Sequence, residues 1–297
     1  MSANVKTEGV WVNDGVTPSG IPIQKYIEIK DSGNHKYRQR LLVATPTLGL
    51  VRMEWVAARY NQIIPTNWSK TDMIQYMNGY IPLRYTVADA QNLAVKACIE
   101  GDFEWLMFIE DDTMPPVDGF LRFTEYMDKG DIPVVSGLYF TRSVPPEPMV
   151  YRGRGNHYFR DWKLEDKVWV DGVPTGMVII HANLLKVVYE DSPEYRISST
   201  GDVARRVFNS PAQSWFNEET GAQETLLGTS DLDFCTRVIK GDYLTKAGFP
   251  KIAKKKYPFL IDTNIFAKHI EKDGRQFPLE FPSEFLPDDK RGPKEII

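Results

Sequence analysis

Cysteine is almost missing from this chain, which holds only Cys98 and Cys235 in 297 residues. They lie in separate halves, each inside a helical pattern, and read as buried free thiols rather than a disulfide; two are also too few for a structural zinc site. No apolar run approaches the roughly 18 residues of a membrane span, and no basic N-terminus leads into an apolar stretch as a secretory leader would. An excess of positive charge is missing too. With a formal net charge of −4 and a pI near 5.7, no global field attracts nucleic acid, although local basic patches stay open. No internal repeat appears. These absences leave the expectation of a soluble cytoplasmic protein, peripheral to a membrane if its substrate lies there.

What is present is material for a substantial core. An apolar fraction of 42% against 26% charged residues suits one large domain or two modest ones. The run Trp105-Leu106-Met107-Phe108-Ile109 is apolar without interruption, and Glu110-Asp111-Asp112 follows it, closed by Pro115-Pro116. That pattern predicts a strand buried on both faces of an α/β sheet, whose C-terminal edge is where ligands sit. Three crowded carboxylates repel one another unless a cation or strong donors offset them. A divalent cation with oxygen ligands, Mg²⁺ or Mn²⁺ held to phosphate, is the simplest account. Strand alternation puts Glu110 and Asp112 on one side and turns Asp111 elsewhere. The competing reading is an acidic surface turn.

Residues 1 to 40 are polar and broken, with an edge strand offered by Ile21 to Ile29. Leu41 to Thr45 predicts the first buried strand, Val51 to Ile64 a helix, Met73 to Tyr80 a second strand, and Thr86 to Glu100 a helix capped by Thr86 with Asp89 three residues on. A helix over Val117 to Lys129 and a strand over Ile132 to Phe140, with Pro133 at its start, come next. Residues 141 to 170 carry Arg142, Arg152, Arg154 and Arg160, either a surface loop or a basic one flanking a diphosphate or acceptor. Val173 to His181 reads as a strand in which Gly176 allows close backbone approach, with His181 structural and a helix from Ala182 to Val188. From Asp191 to Thr229 the chain is irregular and holds Trp215-Phe216, as a lid or binding loop would. Ser230 predicts an N-cap with Asp233 at N3, opening a helix to about Ala247. Pro258 to Asp262 is a late strand, and Lys268-His269 follow in a polar segment. Lys251, Lys254, Lys255 and Lys256 read as a solvated face, and the tail from Phe277 as an irregular strap.

The order of these motifs, above all the hydrophobic strand, the acidic-x-Asp and Met114-Pro115-Pro116, resembles the GT-A glycosyltransferases, especially the inverting family 2 group. The resemblance covers roughly residues 41 to 270. It implies a single GT-A-like α/β domain with a mostly parallel central sheet flanked by helices: a nucleotide-sugar half at 41–140 and an acceptor half with mobile loops at 141–270. Residues 1–40 would be an extension and 271–297 a tail. It implies that Thr45, Pro46 and Thr47 meet the nucleotide, that Arg84 or Gln91 replaces an arginine usual before Asn92, that Asp111 belongs to the nucleotide side, that Gly176 supports the donor sugar, and that Lys268 meets the diphosphate. Glu110, Asp112 and His269 would hold Mn²⁺ or Mg²⁺, Asp231 would be general base and Asp233 its reserve. Glu110 stands where the family has Asp, and Ser230 where it has an acid.

The reaction so implied is hexosyl transfer from a UDP-sugar, ahead of a GDP-sugar, to a saccharide or other hydroxyl acceptor with inversion. A retaining transferase, an idle carbohydrate-binding protein and a nucleotidyltransferase are the alternatives. The last would carry a Gly-rich basic loop after the first strand, which Pro46 to Leu50 does not. A nucleic-acid acceptor stays open against the acidic net charge.

Overall fold

A computed structural model describes residues 8–16, 22–29, 36–63, 73–153, 158–219 and 221–287. Its centre is a seven-stranded sheet in the order Met73–Tyr80, Lys36–Ala44, Trp105–Ile109, Met177–His181, Val134–Leu138, Phe259–Phe266, Lys167–Val170. The uninterrupted apolar runs become its interior strands because both of their faces are covered. Trp105 to Ile109 are all fully buried. Leu42, Ala44, Leu106 and Phe108 face the helices Val87–Glu100, Ala182–Glu190 and Ser230–Lys240, whereas Leu41, Val43, Trp105, Met107 and Ile109 face Met53–Tyr60 and Gly119–Lys129. Each large apolar side chain so enclosed contributes roughly 1.5–3 kcal/mol.

The sheet is mixed rather than mostly parallel. Met177–His181 lies between Trp105–Ile109 and Val134–Leu138 and runs antiparallel to both, and the edge strand Lys167–Val170 is antiparallel to Phe259–Phe266. A crossover helix is what returns a chain to a parallel neighbour. Between Val134–Leu138 and Met177–His181 the described chain has loops and one edge strand but no helix.

Other expectations shift in instructive ways. Pro22–Ile29 is a strand, but it pairs with Glu8–Val16 in a separate hairpin and is no edge of the central sheet. The first central strand begins at Lys36, upstream of the apolar run, and takes in the buried Arg40 because Glu104 and Asp128 meet its guanidinium at 3.3 and 2.8 Å. Residues 191–229 are less irregular than their polarity implied, since Glu194–Arg196 pairs with Val203–Arg205 and Ala212–Asn217 with Ala222–Leu227. Two-stranded polar hairpins leave little apolar periodicity to read. The helix opening at Ser230 ends at Lys240, and Asp242, at φ 53°, turns the chain into a short helix Tyr243–Lys246. Thr86 caps its helix as expected, exchanging bonds with the backbone and carboxylate of Asp89. Both cysteines are buried and free. Among the described residues no helix is long and apolar enough to cross a membrane.

A small sheet beside the main one matters most for the site. Lys268–Ile270 lies between Thr113–Met114 and Gln276–Phe277, in a register that sets His269 opposite Thr113.

Candidate active site

The acidic residues leave the central strand in a tight turn in which Thr113 N–H reaches the Glu110 carbonyl at 3.1 Å. Three elements hold that turn. The Trp55 indole donates to the carbonyls of Glu110 and Thr113 at 2.8 and 2.9 Å, Glu110 N–H donates to Gly176 at 3.0 Å, and Ile270 N–H donates to Asp112 at 2.7 Å. The backbone around the carboxylates is therefore fixed by bonds that leave their side chains free for other work.

Glu110 is buttressed from behind. Thr175 Oγ1 donates to Glu110 Oε1 at 3.0 Å and accepts from Gln91 Nε2 at 2.9 Å, so the single hydroxyl proton is committed to the carboxylate. Gln91 is fully enclosed, with its Oε1 unpartnered. Burial, then Asp112 and Asp231, push the Glu110 carboxyl up to about 8; the Thr175 bond works against that rise and Asp111 adds to it. Burial likewise raises Asp111, opposed by the Thr47 hydroxyl, and raises Asp231, opposed by the Thr229 hydroxyl and the Leu232 N–H at 2.8 Å. Acids from two separate elements thus feel one another in a poorly hydrated place, and a positive charge among them would relieve all of them.

Two such charges or ligands stand at the rim. Arg142 meets Asp112 Oδ2 at 2.9 Å and lies 3.7 Å from Glu271. His269 is buried; its Nδ1 donates to the Phe140 carbonyl at 2.6 Å, which leaves Nε2 as the lone-pair nitrogen. Burial lowers its basicity and Asp112 opposes that. The Tyr139 ring stands edge-on to His269 at 4.8 Å, and its hydroxyl accepts from Gly176 N–H at 2.6 Å. A Cβ at Gly176 would meet Tyr139 Oη at 2.5 Å and Thr113 Oγ1 at 2.8 Å, so no side chain fits there. Among the described residues no three His, Cys, Asp or Glu side chains stand close enough to grip an ion as they are. The donor types of Glu110, Asp112 and His269, two carboxylates and one imidazole, suit a hard cation, Mn²⁺ ahead of Mg²⁺.

Asp231 occupies the first turn of its helix, but the N-cap is Thr229, and Ser230 is a buried first residue. Asp233, two positions on, has one carboxylate oxygen enclosed without a partner; burial raises its pKa and Arg237 opposes the rise. After the first central strand Thr45 and Pro46 are buried, and Thr47 ties Asp111 to the first turn of the sheet while its carbonyl accepts from Arg84 N–H at 2.9 Å. Arg84 is exposed at φ 66°, a left-handed backbone rare for its type. Gln91 reaches Glu110 through Thr175 rather than an open surface. Lys268 is exposed, and alternation turns it to the opposite side of its strand from His269. Asp89 accepts the Tyr195 hydroxyl at 2.6 Å and His181 caps its own helix, both structural roles. Arg160 is taken by Glu147 and Glu284, and Arg154 lies outside the described residues. Trp55, Tyr139 and Thr175 were not singled out by sequence reasoning, because each acts across space on a partner far along the chain.

No protein-family model matches this chain, and no curated protein matches it. Among solved structures, A197 from STIV is similar over 79% of this chain and 87% of that one, at 16% identity and a TM-score of 0.44. S. aureus TarS 1-349 in complex with UDP-GlcNAc is similar over 55% of this chain and 51% of that one, at 13% identity and a TM-score of 0.33. The same TarS fragment with UDP gives 12% identity and a TM-score of 0.31, again over about half of that chain (52%). Likenesses this distant leave the fold and the site to be argued from the chain's own geometry.

Proposed function

We propose that this chain is a metal-dependent glycosyltransferase that moves a sugar from a nucleotide-diphosphate sugar, UDP ahead of GDP, to a hydroxyl acceptor with inversion. The observation that carries the reading is the convergence on one sheet edge of the buttressed turn Glu110–Asp112, the opposing Asp231 and the inward His269. Glu110, Asp112 and His269 would hold Mn²⁺ or Mg²⁺, whose chemistry is to absorb charge on the leaving diphosphate. Thr45 to Thr47 with Asp111 would line the nucleotide. Gly176, whose open side is filled by Tyr139 and Thr113, would support the donor sugar indirectly, by letting those two side chains close on the turn.

Asp231 takes the acceptor hydroxyl proton as that oxygen bonds to the anomeric carbon, while the bond from that carbon to the diphosphate oxygen breaks and its electron pair leaves with the nucleotide diphosphate. Burial strengthens Asp231 as a base, which suits that role. Asp233 is the reserve.

A second reading rests on Arg142. Its guanidinium already sits on Asp112, so it could meet the diphosphate itself and make the transferase independent of metal. Calorimetric titration with UDP and GDP, each with Mn²⁺ and with chelator, separates these readings. Binding that needs Mn²⁺ and vanishes in Asp112→Ala supports the first; binding that survives chelator and vanishes in Arg142→Ala supports the second. No nucleotide binding under any condition would sink both.

A further inference from the structure

The acceptor side carries a feature that the reaction does not yet use. Tyr151 bridges to Gly172 just beyond the edge strand Lys167–Val170. A Cβ on Gly172 would meet Leu232 Cδ2 at 2.7 Å and Tyr151 Cβ at 3.2 Å, so Tyr151 and the neighbour of Asp231 both close on Gly172, and the Asp231 charge reaches the Tyr151 hydroxyl. Tyr158 lies tilted beside Tyr151 at 5.4 Å, and both rings are half-buried. The next residue, Arg152, donates from Nε to the Trp169 carbonyl at 2.8 Å and lays its guanidinium 3.8 Å over Phe159 and 5.1 Å from the Tyr257 ring. Lys256 lies 5.2 Å from the same tyrosine ring, and Lys255 sits 3.9 Å over Trp169. Lys254 is exposed beside them.

A lysine run is ordinarily a solvated face whose cations sway freely or pair with nearby acids. Here Arg152, Lys255 and Lys256 rest on rings instead. Among the described residues, Arg152, Lys254, Lys255 and Lys256 form no ion pair, while nearby Glu147 and Glu284 engage Arg160 and Asp171 accepts from Gly153 N–H. A chain of net charge −4 has thus gathered unpaired positive charge along the edge strand Lys167–Val170, beside Tyr151, whose hydroxyl feels the Asp231 carboxylate. Single-stranded nucleic acid would need bare ring faces for its bases. The faces of Phe159, Tyr257 and Trp169 carry cations, so no succession of bare rings follows the charge; Tyr151 and Tyr158, tilted against each other, offer one short platform that suits a sugar ring.

We propose that the acceptor is an acidic glycan, its sugar rings against Tyr151 and Tyr158 and its anionic groups on the track of Arg152, Lys254, Lys255 and Lys256. This rests on Asp231 as the acceptor-side base. The test measures binding of labelled oligogalacturonate to the wild-type chain and to a Lys254→Glu/Lys255→Glu/Lys256→Glu variant, with neutral dextran oligomers of equal length and single-stranded oligodeoxynucleotide of equal charge as comparisons. The expected result is salt-sensitive oligogalacturonate binding, weakened on the order of tenfold or more in the variant. Nucleotide binding, which these exposed lysines do not touch, should stay unchanged and certifies the fold. No oligogalacturonate binding, equal binding by the variant, dextran binding as tight, or tighter oligonucleotide binding would each overturn the proposal. Because this measurement uses neither metal nor nucleotide, glycan binding without UDP or GDP binding breaks the transferase reading alone.

Discussion

The two rims of the site are built in opposite ways. The acidic rim is set by buried bonds from distant elements: Trp55 to the turn, Ile270 to Asp112, Gly176 to Glu110. The rim beyond Asp231 is basic, half-exposed and set by cations resting on rings, and the hairpin of Ala212–Asn217 with Ala222–Leu227 runs directly into the helix of Asp231. Buried backbone bonds hold the acids in place, whereas the exposed Lys255 and Lys256 rest on ring faces.

The sharpest way to break that contrast is to unfasten one residue from each region. Trp55→Ala removes a buried ring together with the donor to two carbonyls, and should cost about 3–5 kcal/mol of stability in denaturant unfolding. Phe216→Ala, on a hairpin ring that is 61% exposed, should change stability by less than about 0.5 kcal/mol. Equal effects would show that the acidic turn is no more firmly built than the hairpin.

Gly176→Ala is next in size. Its new methyl group meets three atoms under 3.0 Å, two on Tyr139 and one on Thr113, so a loss of about 1–3 kcal/mol is expected from the same unfolding measurement. Adding Tyr139→Phe deletes only one of the three, and the double variant should recover only part of the loss. Full recovery would mean that the Tyr139 hydroxyl was the whole obstacle and that the ring carbon and Thr113 both yield easily.

The parts of this architecture that could be read from sequence are those whose signal is local. Trp105 to Ile109 announced a doubly buried strand and Thr86 a cap, and both are found, whereas His269, expected in a polar segment, is buried in a short strand. What could not be read depends on long-range pairing. Nothing local to Met177–His181 says that it runs antiparallel, nothing near Trp55 points to a turn over fifty residues away, and the hairpins after Asp191 are too short and too polar in sequence to show a period. Arg142 was legible as a basic loop residue, but not as the partner of Asp112.

The smallest expected effects test the buttress behind Glu110, and they rest on the metal reading. Thr175→Val keeps the shape of the side chain and removes the hydroxyl that fixes Glu110 Oε1, so Mn²⁺ affinity by calorimetry should fall about tenfold, the lower end for a residue that orients a ligand. Thr175→Ser restores the hydroxyl and should restore the affinity. Gln91→Leu acts one bond further back. It leaves Thr175 free to rotate its proton away from Glu110, but it also removes the unpartnered Oε1 from the core. Its effect on Mn²⁺ should therefore be smaller than that of Thr175→Val, with stability unchanged or slightly raised. If Gln91→Leu lost as much affinity as Thr175→Val, the glutamine would be the anchor of the relay rather than a guide for the hydroxyl, and the acidic rim would owe its order to the Val87–Glu100 helix as much as to its own turn.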